Sequence, residues 1–449
     1  MDAIDEYGYT PLIQTAIINS LPKARLLLRA GASIDFPDLT GRTALFWAAD
    51  NGNLDLCQLY LDHRANPDVY HRGGQPALAM PYLKKHYEIK RLLVSRGAHL
   101  SFAQDFLDAK LLGHSFELEG RVDIVSPRGT FIELELEGFY LRFILEFIKN
   151  SLIDFKSNFA ARRLSHYFHS FDIIIKQLQI AIELISMQNY LLDVETVADR
   201  IGALINEEIL ILPIAFDSHA IVFIKMGDTI IRCDRGEFGR VHGPVIYYHL
   251  GRPANFTQSL VKALLYKRQH TEFINDYLIK HLALTSKKIL GLSFQKTGNC
   301  SWANVEAVIP AIIFELLSIN YIKSDSCDPG SIAINLYYEW QEWTRDRLLN
   351  LTIQKMPDEE GPRQVSKAAL LAVVLFQSCS NGSWKERLRA NKILSVLTKP
   401  RYMHILKCYV RIFSQNSSAP LWKNFCNLLT EYGLDVDRLR ATTDFFNQQ

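Results

Sequence analysis

Apolar residues recur at a fixed interval along the first hundred positions of the chain. Three leucine-rich segments begin at Leu26, Leu59 and Leu92, which are 33 residues apart. Each segment spaces its apolar residues as one face of a helix does, and each is followed by a Gly-Ala or Arg-Ala pair. A glycine at that point favours the end of a helix. The pattern therefore predicts short helices that pack on one another in a stack.

Glycines mark the beginning of the same units, at Gly8, Gly41 and Gly74. The segment Gly-Tyr-Thr-Pro-Leu at the first glycine returns as Gly-Arg-Thr-Ala-Leu at the second and, more loosely, as Gly-Gln-Pro-Ala-Leu at the third. A 33-residue period with Thr-Pro-Leu near its start resembles the ankyrin repeat. The resemblance implies an ankyrin solenoid with a capping helix over residues 1–117, and a role in binding a protein partner.

The ankyrin resemblance also implies where a partner would bind. Ankyrin partners usually contact the concave face, which is built from hairpin fingers and first helices. Aromatic and Arg side chains are favoured in such contacts. The candidate partner-binding residues are therefore Tyr7, Tyr9, Arg42, Trp47, Tyr70 and Arg72. For Trp47, packing inside the stack between Phe46 and Ala48 is an equal alternative.

The pattern changes after the repeats. Residues 140–206 have helical spacing, and strand-like segments follow at 209–215, 219–225, 229–233, 245–250 and 288–294. A strongly apolar helix is predicted from Cys300 to about Leu317, and residues 365–440 have helical spacing throughout. The predicted fold class is an α plus α/β multidomain chain, with a mixed α/β domain over 118–360 and a helical C-terminal region over 361–449.

Composition and charge exclude several classes of function. A net charge of +2 without a long basic tract gives no reason to expect direct contact with nucleic acid. Seven cysteines are scattered without a Cys-x-x-Cys pair, so neither a disulfide framework nor a metal site is predicted. Without a Gly-rich phosphate loop, no small-molecule cofactor is predicted. No apolar run approaches the ~20 residues of a membrane span, so no membrane contact is expected.

Cys300 is the first candidate for chemistry, because it follows a strand and a Gly-Asn turn at a predicted helix start. Unpaired N–H groups and the helix dipole at that position favour the thiolate. His219 begins one predicted strand and Asp234 ends the next, so a tight hairpin would return them side by side. The candidate catalytic residues are the nucleophile Cys300, the base His219, its partner Asp234, and Gln295, which would stabilise an oxyanion with the Cys300 N–H.

The order His219, Asp234, Gln295, Cys300 resembles that of the clan CE cysteine peptidases. That clan comprises the ubiquitin-like-protein proteases and related bacterial acetyltransferases. The resemblance covers about residues 210–320 and implies a papain-like, cysteine-protease-like domain over the predicted α/β region. Two features depart from the clan: Asn299 stands where an acid usually precedes the cysteine, and the glutamine is one residue nearer to the cysteine. An alternative interpretation is therefore that the domain has lost its cleavage activity.

A second resemblance covers the whole architecture. The repeats are followed by Phe-Leu-Asp-Ala-Lys-Leu-Leu-Gly-His at 106–114 and by Phe-Glu-Leu-Glu-Gly at 116–120. This combination resembles the Legionella-type ankyrin effectors, which are injected into host cells. The resemblance implies secretion by a specialised apparatus, action in the host cytosol or nucleus, and a host protein as partner.

Two hypotheses follow for the function. In the first, the chain is a thiol peptidase, deubiquitinase-like hydrolase or acyltransferase whose ankyrin stack selects the substrate. In the second, it is an interaction protein in which both halves bind partners and Cys300 is a relic. The second hypothesis has support because a lone His at a strand end, or a lone Cys at a helix start, is usually structural.

Overall fold

The structure is a computed structural model, and it describes residues 2–136, 138, 140–187, 194–217, 219–267, 269–296, 298–319, 328–356, 361–380, 382–416 and 418–441. Thr297, within the segment that precedes Cys300, and the tail at 442–449 lie outside this set. The chain forms two compact units. The first joins Met1–Ala98 to Gly138–Trp343, and the second joins His99–Glu137 to Thr344–Gln449. Each unit consists of two separated segments of the chain. The predicted domains, with borders at 117 and 360, are each one continuous segment.

The first stretch of the first unit contains helix pairs at the predicted period. Their bounds are α1 Pro11–Ile17, α2 Leu21–Arg29, α3 Ala44–Asn51, α4 Leu54–Asp62, α5 Ala79–Leu83 and α6 Tyr87–Ser95. Gly8, Gly41 and Gly74 all have a left-handed φ, of 80°, 89° and 80°. The hydroxyl of Thr10 accepts a hydrogen bond from the Ile13 N–H and caps α1, and Thr43 caps α3 in the same way. The third repeat has no threonine at this place, and its first helix is only five residues long.

The second stretch of the first unit forms a sheet and its covering helices. The helices are α8 Leu141–Ser157, α9 Phe168–Ser186, α10 Val194–Ile205, α11 Glu237–His242, α12 Gln258–Tyr266, α13 Leu278–His281, α14 Cys300–Glu306, α15 Val308–Ile319 and α16 Pro329–Lys355, whose residues after Trp343 count with the second unit. The strands are β3 Ile209–Phe216, β4 His219–Met226, β5 Thr229–Cys233, β6 Val245–Leu250 and β7 Leu284–Leu290. The labels β1 and β2 belong to a hairpin in the second unit, at Arg121–Val125 and Phe131–Glu135.

The five strands pair in chain order as an antiparallel meander. Strands β3, β4 and β5 are buried at almost every position, because helices cover both faces of the sheet. Helices α10 and α12 pack their apolar side chains on one face, and α9, α14 and α15 lie against β3, β4 and β5. A sheet covered on both faces has continuous apolar runs instead of alternation, which is the pattern of β3 and β4.

Two elements differ from the sequence-based expectation. The strand predicted at 288–294 lies at Leu284–Leu290, because β7 is an edge strand whose central residues are polar and exposed. The apolar stretch Cys300–Ile319 is long and apolar enough by composition to span a membrane, so the expectation that no run approaches that length was wrong. Its most apolar window is 72% buried within the protein, as in the core helix of a folded domain.

The ankyrin repeats and the mixed α/β region belong to the same compact unit. Helix α5 of the third repeat packs on α8, and the Asn150 side chain donates a hydrogen bond to the Leu83 carbonyl at 3.3 Å. The Arg42 guanidinium lies 4.4 Å from the ring centre of Tyr140, the residue before α8. The first helices of the repeats therefore face the α/β region.

The second unit is built around the hairpin β1–β2 and helices α7 Leu100–Ser115, α17 Pro362–Ser378, α18 Trp384–Leu397, α19 Met403–Phe413, α20 Pro420–Glu431 and α21 Val436–Ala441. The predicted capping helix corresponds to α7. Its buried Asp105 accepts hydrogen bonds from Arg363 at 2.7 Å and forms an ion pair with Lys367 at 3.1 Å. A buried carboxylate between two cations ties α7 to α17.

We expect Gly41→Ala to lower the free energy of unfolding by about 2 kcal/mol or more, because an L-residue is strained at this φ. Its new Cβ would also lie 3.2 Å from the backbone nitrogen of Arg72 in the next finger. Gly31→Ala is the matched control, because Gly31 has a φ of 87° with nothing within 4 Å of a Cβ. Urea unfolding of both variants checks this, and equal losses would contradict the close approach of the fingers.

Candidate functional site

Cys300 is the first residue of α14 and is partly exposed. The side chain of His219 and the backbone N–H groups of Ala220 and Ser301 lie close enough to its sulfur to lower the pKa of the thiol. The Ser301 N–H lies in the first turn of the helix, where backbone N–H groups have no acceptor within the helix itself. The local sequence thus places the thiol where a negative charge on sulfur is favoured.

His219 and Asp234 lie at the same end of two neighbouring strands. The two-residue turn at Gly227-Asp228 joins β4 to β5, and Val222 pairs with Cys233 in the last residue pair of the ladder. Asp234 follows directly, and its Oδ1 lies 3.0 Å from Nε2 of His219. This contact leaves Nδ1 as the ring nitrogen that remains for an interaction with Cys300. The structure thus brings together the three residues at the positions where the sequence predicts them.

The pKa values of the pair favour a thiolate beside an imidazolium. Burial acts to lower the pKa of His219, but its hydrogen bonds to Asp234 and Cys300 raise it to about 9. Burial acts to raise the pKa of the Cys300 thiol, but the bonds from His219 and from the Ala220 N–H lower it below its usual value. Burial acts to raise the pKa of Asp234, and its bonds with His219 and Arg232 hold it below the usual range. Each charge therefore stabilises the next.

Asp234 is held in place by buried neighbours. Its Oδ2 accepts from Nη2 of Arg232 at 2.7 Å, and its Oδ1 accepts from the Gly236 N–H at 3.1 Å. Both Asp234 and Arg232 have side chains only 1% exposed. The Arg232 guanidinium in turn lies 3.5 Å from the ring centre of Phe238. A Cβ at Gly236 would come within 2.8 Å of Cε1 of His219, so this position requires glycine.

Asn304 joins the thiol helix to both strands. Its Oδ1 accepts from the Arg235 N–H at 2.7 Å, and its Nδ2 donates to the Ala220 carbonyl at 2.7 Å. Asn304 has no exposed surface. The residues next to Asp234 and His219 are therefore bonded to a side chain one helical turn from Cys300. The sequence analysis missed this role, although a polar side chain in so apolar a helix is a signal.

A buried ion pair supports the same helix. Arg235 donates to Oε1 of Glu306 at 2.9 Å and to the Ser293 carbonyl at 2.6 Å. Oε2 of Glu306 accepts from the Trp302 indole at 3.0 Å. These contacts connect the end of β5, the loop after β7 and α14. Neither Arg235 nor Glu306 was predicted, since a charged pair separated by 71 residues has no local pattern.

Gln295 lies in the loop before Cys300, and its backbone is fixed near the site. Its N–H donates to the Arg235 carbonyl at 3.0 Å, and its carbonyl accepts from Arg240 at 3.2 Å. Its side-chain oxygen is buried and has no hydrogen-bond partner among the residues that the structure describes. The loop is thus hydrogen-bonded to Arg235, the residue that follows Asp234 in the chain. An oxyanion-binding role for Gln295 stays a prediction.

The candidate partner-binding residues divide into two groups. Tyr7 is 67% exposed, Tyr70 is 41% exposed, and Arg72 is exposed. Arg42 and Trp47 are buried instead, which corrects the expectation of a surface contact at Arg42 and agrees with the alternative that Trp47 packs inside the stack. The Trp47 indole donates to Asp38 at 3.0 Å, and the half-buried Tyr9 packs edge-on against its ring. The rings of Phe46, Trp47 and Tyr140 surround the Arg42 guanidinium.

Comparison with known proteins confirms the repeats and extends the likeness to the full chain. A family model for ankyrin repeats matches three copies at residues 12–103. Inversin of Danio rerio is 40% identical over 65 residues, and the chain spans only 6% of its length. The DNA replication inhibitor plutonium of Drosophila melanogaster is 30% identical over 141 residues, which cover 30% of this chain and 81% of that protein. The solved structure of the Legionella effector AnkH is 37% identical with a TM-score of 0.90, and the match covers 97% of this chain and 92% of that one.

We expect the Cys300 thiol to react with iodoacetamide near neutral pH about tenfold faster than an ordinary cysteine, because its lowered pKa raises the thiolate fraction. The rate should rise as the pH passes the lowered pKa of the thiol. Above about 9, His219 loses its proton and no longer stabilises the thiolate. In His219→Ala the thiol should require a higher pH to ionise, because burial then raises its pKa without the opposing effect of the imidazolium charge.

Peptide mass spectrometry measures this rate separately at each cysteine. The partly exposed Cys408 provides the internal reference, because burial raises the pKa of the Cys426 thiol, and Cys57, Cys233 and Cys379 are buried. Equal rates for Cys300 in the wild type and in His219→Ala would contradict the ion pair.

Proposed function

Because the chain belongs to the family of ankyrin-repeat proteins that includes the Legionella effector AnkH, we propose that it is an effector that acts inside a host cell. In this proposal the ankyrin repeats recruit a host protein, and Cys300 attacks that protein or a chain linked to it. The domain that carries Cys300 is then a cysteine-peptidase-like domain. The observation that carries the proposal is the contact of His219 with Asp234 at 3.0 Å, together with the effect of the His219 side chain on the pKa of the Cys300 thiol.

The chemistry follows from the charges of the pair. The Cys300 thiolate adds to a substrate carbonyl carbon, and the negative charge moves to the carbonyl oxygen. The Cys300 N–H and the Gln295 side chain stabilise that oxyanion. When the bond to the leaving amine breaks, the His219 imidazolium gives its proton to the amine, and an acyl-thioester remains on Cys300.

A second acceptor completes the reaction. Water or an amine gives a proton to neutral His219 and attacks the thioester carbon, and the carbon–sulfur bond breaks. The thiolate and the imidazolium are thereby restored. Water as acceptor makes the protein a peptidase or deubiquitinase-like hydrolase, and an amine makes it an acyltransferase. Both outcomes use the same residues of the chain.

The exposed finger residues Tyr7, Tyr70 and Arg72 support partner binding at the edge of the repeats. They also support the second candidate function, a protein that only binds host partners. The departure at Asn299, which takes the place of the usual acid before the cysteine, favours that candidate. The host cytosol or nucleus is the proposed compartment in both cases.

Two variants separate the candidate functions. Cys300→Ala should abolish labelling by ubiquitin-type and acyl-type thiol probes and keep partner binding, because it removes only the nucleophile. The double variant Tyr70→Ala, Arg72→Ala should weaken partner capture by about tenfold or more and keep labelling of Cys300. The matched control is Arg25→Ala, a change at an exposed arginine on α2, the outer helix of the first repeat.

The cellular effect of the protein then decides between the two. The thiol function predicts that Cys300→Ala loses the effect. If Cys300→Ala keeps the full effect and only the finger variant loses it, the protein acts by binding alone.

A further inference from the structure

A cavity of about 630 Å³ lies inside the first unit, between the ankyrin repeats and the α/β region. Its repeat side includes Arg42, Asp50 and Gln75. Its other side includes Arg142 of α8 and Ser301 of α14. A cavity of this size accommodates a ligand of a few amino-acid residues. Residues of the second and third repeats therefore contribute one wall of the cavity.

Four polar side-chain atoms at this cavity are buried and have no hydrogen-bond partner among the described parts of the chain. They are Nε of Arg42, Oε1 of Gln75, Nε of Arg142 and Oγ of Ser301. Arg42, Gln75 and Ser301 are 9%, 3% and 5% exposed. Buried polar groups nearly always have partners, and a cluster of exceptions around one cavity indicates a polar ligand.

The charged side chains around the cavity determine whether the ligand should be an anion or a cation. Neither Arg42 nor Arg142 has a carboxylate within salt-bridge distance, as far as the structure describes the chain. Asp50 provides a carboxylate in the cavity wall, and this carboxylate already faces Lys84. Nζ of Lys84 lies 3.8 Å from Oδ1 of Asp50 and donates a hydrogen bond to the Asp50 backbone carbonyl at 2.5 Å. Two guanidinium groups therefore remain for an anion, and a planar guanidinium binds a carboxylate by paired hydrogen bonds.

The cavity adjoins the reactive thiol. Its wall includes Ala220 and Ser301, which follow His219 and Cys300 in the chain. The backbone N–H groups of these two residues are among the groups that lower the pKa of the Cys300 thiol. Cys300 itself does not line the cavity, so a group inside the cavity would lie beside the reacting carbon.

We propose that this cavity binds an acidic side chain of the polypeptide that Cys300 attacks, next to the attacked carbonyl. Arg42 from the second repeat and Arg142 from α8 bind the carboxylate, and Ser301 and Gln75 complete its hydrogen bonds. The ankyrin stack then forms part of the substrate pocket besides recruiting a partner. This inference rests on the proposed thiol function.

The test uses peptide vinyl sulfones that differ only in the residue next to the reactive carbon, which is Glu, Gln or Lys. The second-order labelling rate of Cys300 is divided by the iodoacetamide rate of the same variant, which removes changes in the thiol itself. In the full-length wild type, the Glu probe should react about tenfold faster than the Gln probe, and the Lys probe should be slowest. In Arg42→Gln and in Arg142→Gln, the preference for Glu over Gln should fall to about twofold or less. Arg25→Gln, at an exposed arginine outside the cavity, should keep it.

The outcomes distinguish the two proposals. A fast iodoacetamide reaction without a Glu preference overturns the acidic pocket and keeps the thiol function. A Glu preference that survives in both Arg42→Gln and Arg142→Gln also overturns it. An iodoacetamide rate equal to that of an ordinary thiol contradicts the thiol function itself. If Arg42→Gln does not fold, Arg142→Gln alone decides, because that side chain is only half-buried.

Discussion

The side chain of Asn304 holds the candidate site together. One hairpin brings His219 and Asp234 together, but Cys300 stands on a helix that lies far along the chain from both. Asn304 binds the Ala220 carbonyl and the Arg235 N–H, the immediate neighbours of His219 and Asp234, from the next turn of the Cys300 helix. Because it is completely buried, water offers its amide no alternative partner. The two hydrogen bonds of this one residue therefore help to set the distance between thiol and imidazole, together with the Arg235–Glu306 ion pair on the same helix.

Charge is arranged around this link in pairs. Arg232 neutralises Asp234 on one side, and Glu306 neutralises Arg235 on the other. All four side chains are nearly inaccessible to solvent, so removal of one partner would leave an uncompensated buried charge. Arg42 at the cavity differs, because aromatic rings surround its guanidinium and, among the described residues, no carboxylate lies within salt-bridge distance of it. This contrast separates the paired charges around the candidate thiol site from the arginines of the proposed acidic pocket.

Local patterns predicted the candidate triad because each member stands at the end of a regular element. The two-residue turn at Gly227-Asp228 determines the register of β4 against β5, and this register carries His219 and Asp234 to the same edge. The apolar helix around Asn304 signals a buried polar role, but the partners of Asn304 and Arg235 could not be predicted, since they are more than 60 residues away. The burial of Arg42 was missed for a similar reason. A repeat pattern describes a stack alone and contains no information on the domain that packs against it.

The central claim is that Asn304 positions the thiol helix so that Cys300 exists as a thiolate beside His219. The most direct test is the ultraviolet absorbance of the thiolate as a function of pH. It is recorded for the wild type and for Asn304→Leu, each minus its own Cys300→Ser counterpart. We expect a wild-type thiolate signal at neutral pH and a shift of that signal to higher pH in Asn304→Leu, with the secondary structure retained. A wild-type signal that appears only at the pH of an ordinary thiol, or one that Asn304→Leu leaves unchanged, would contradict the claim.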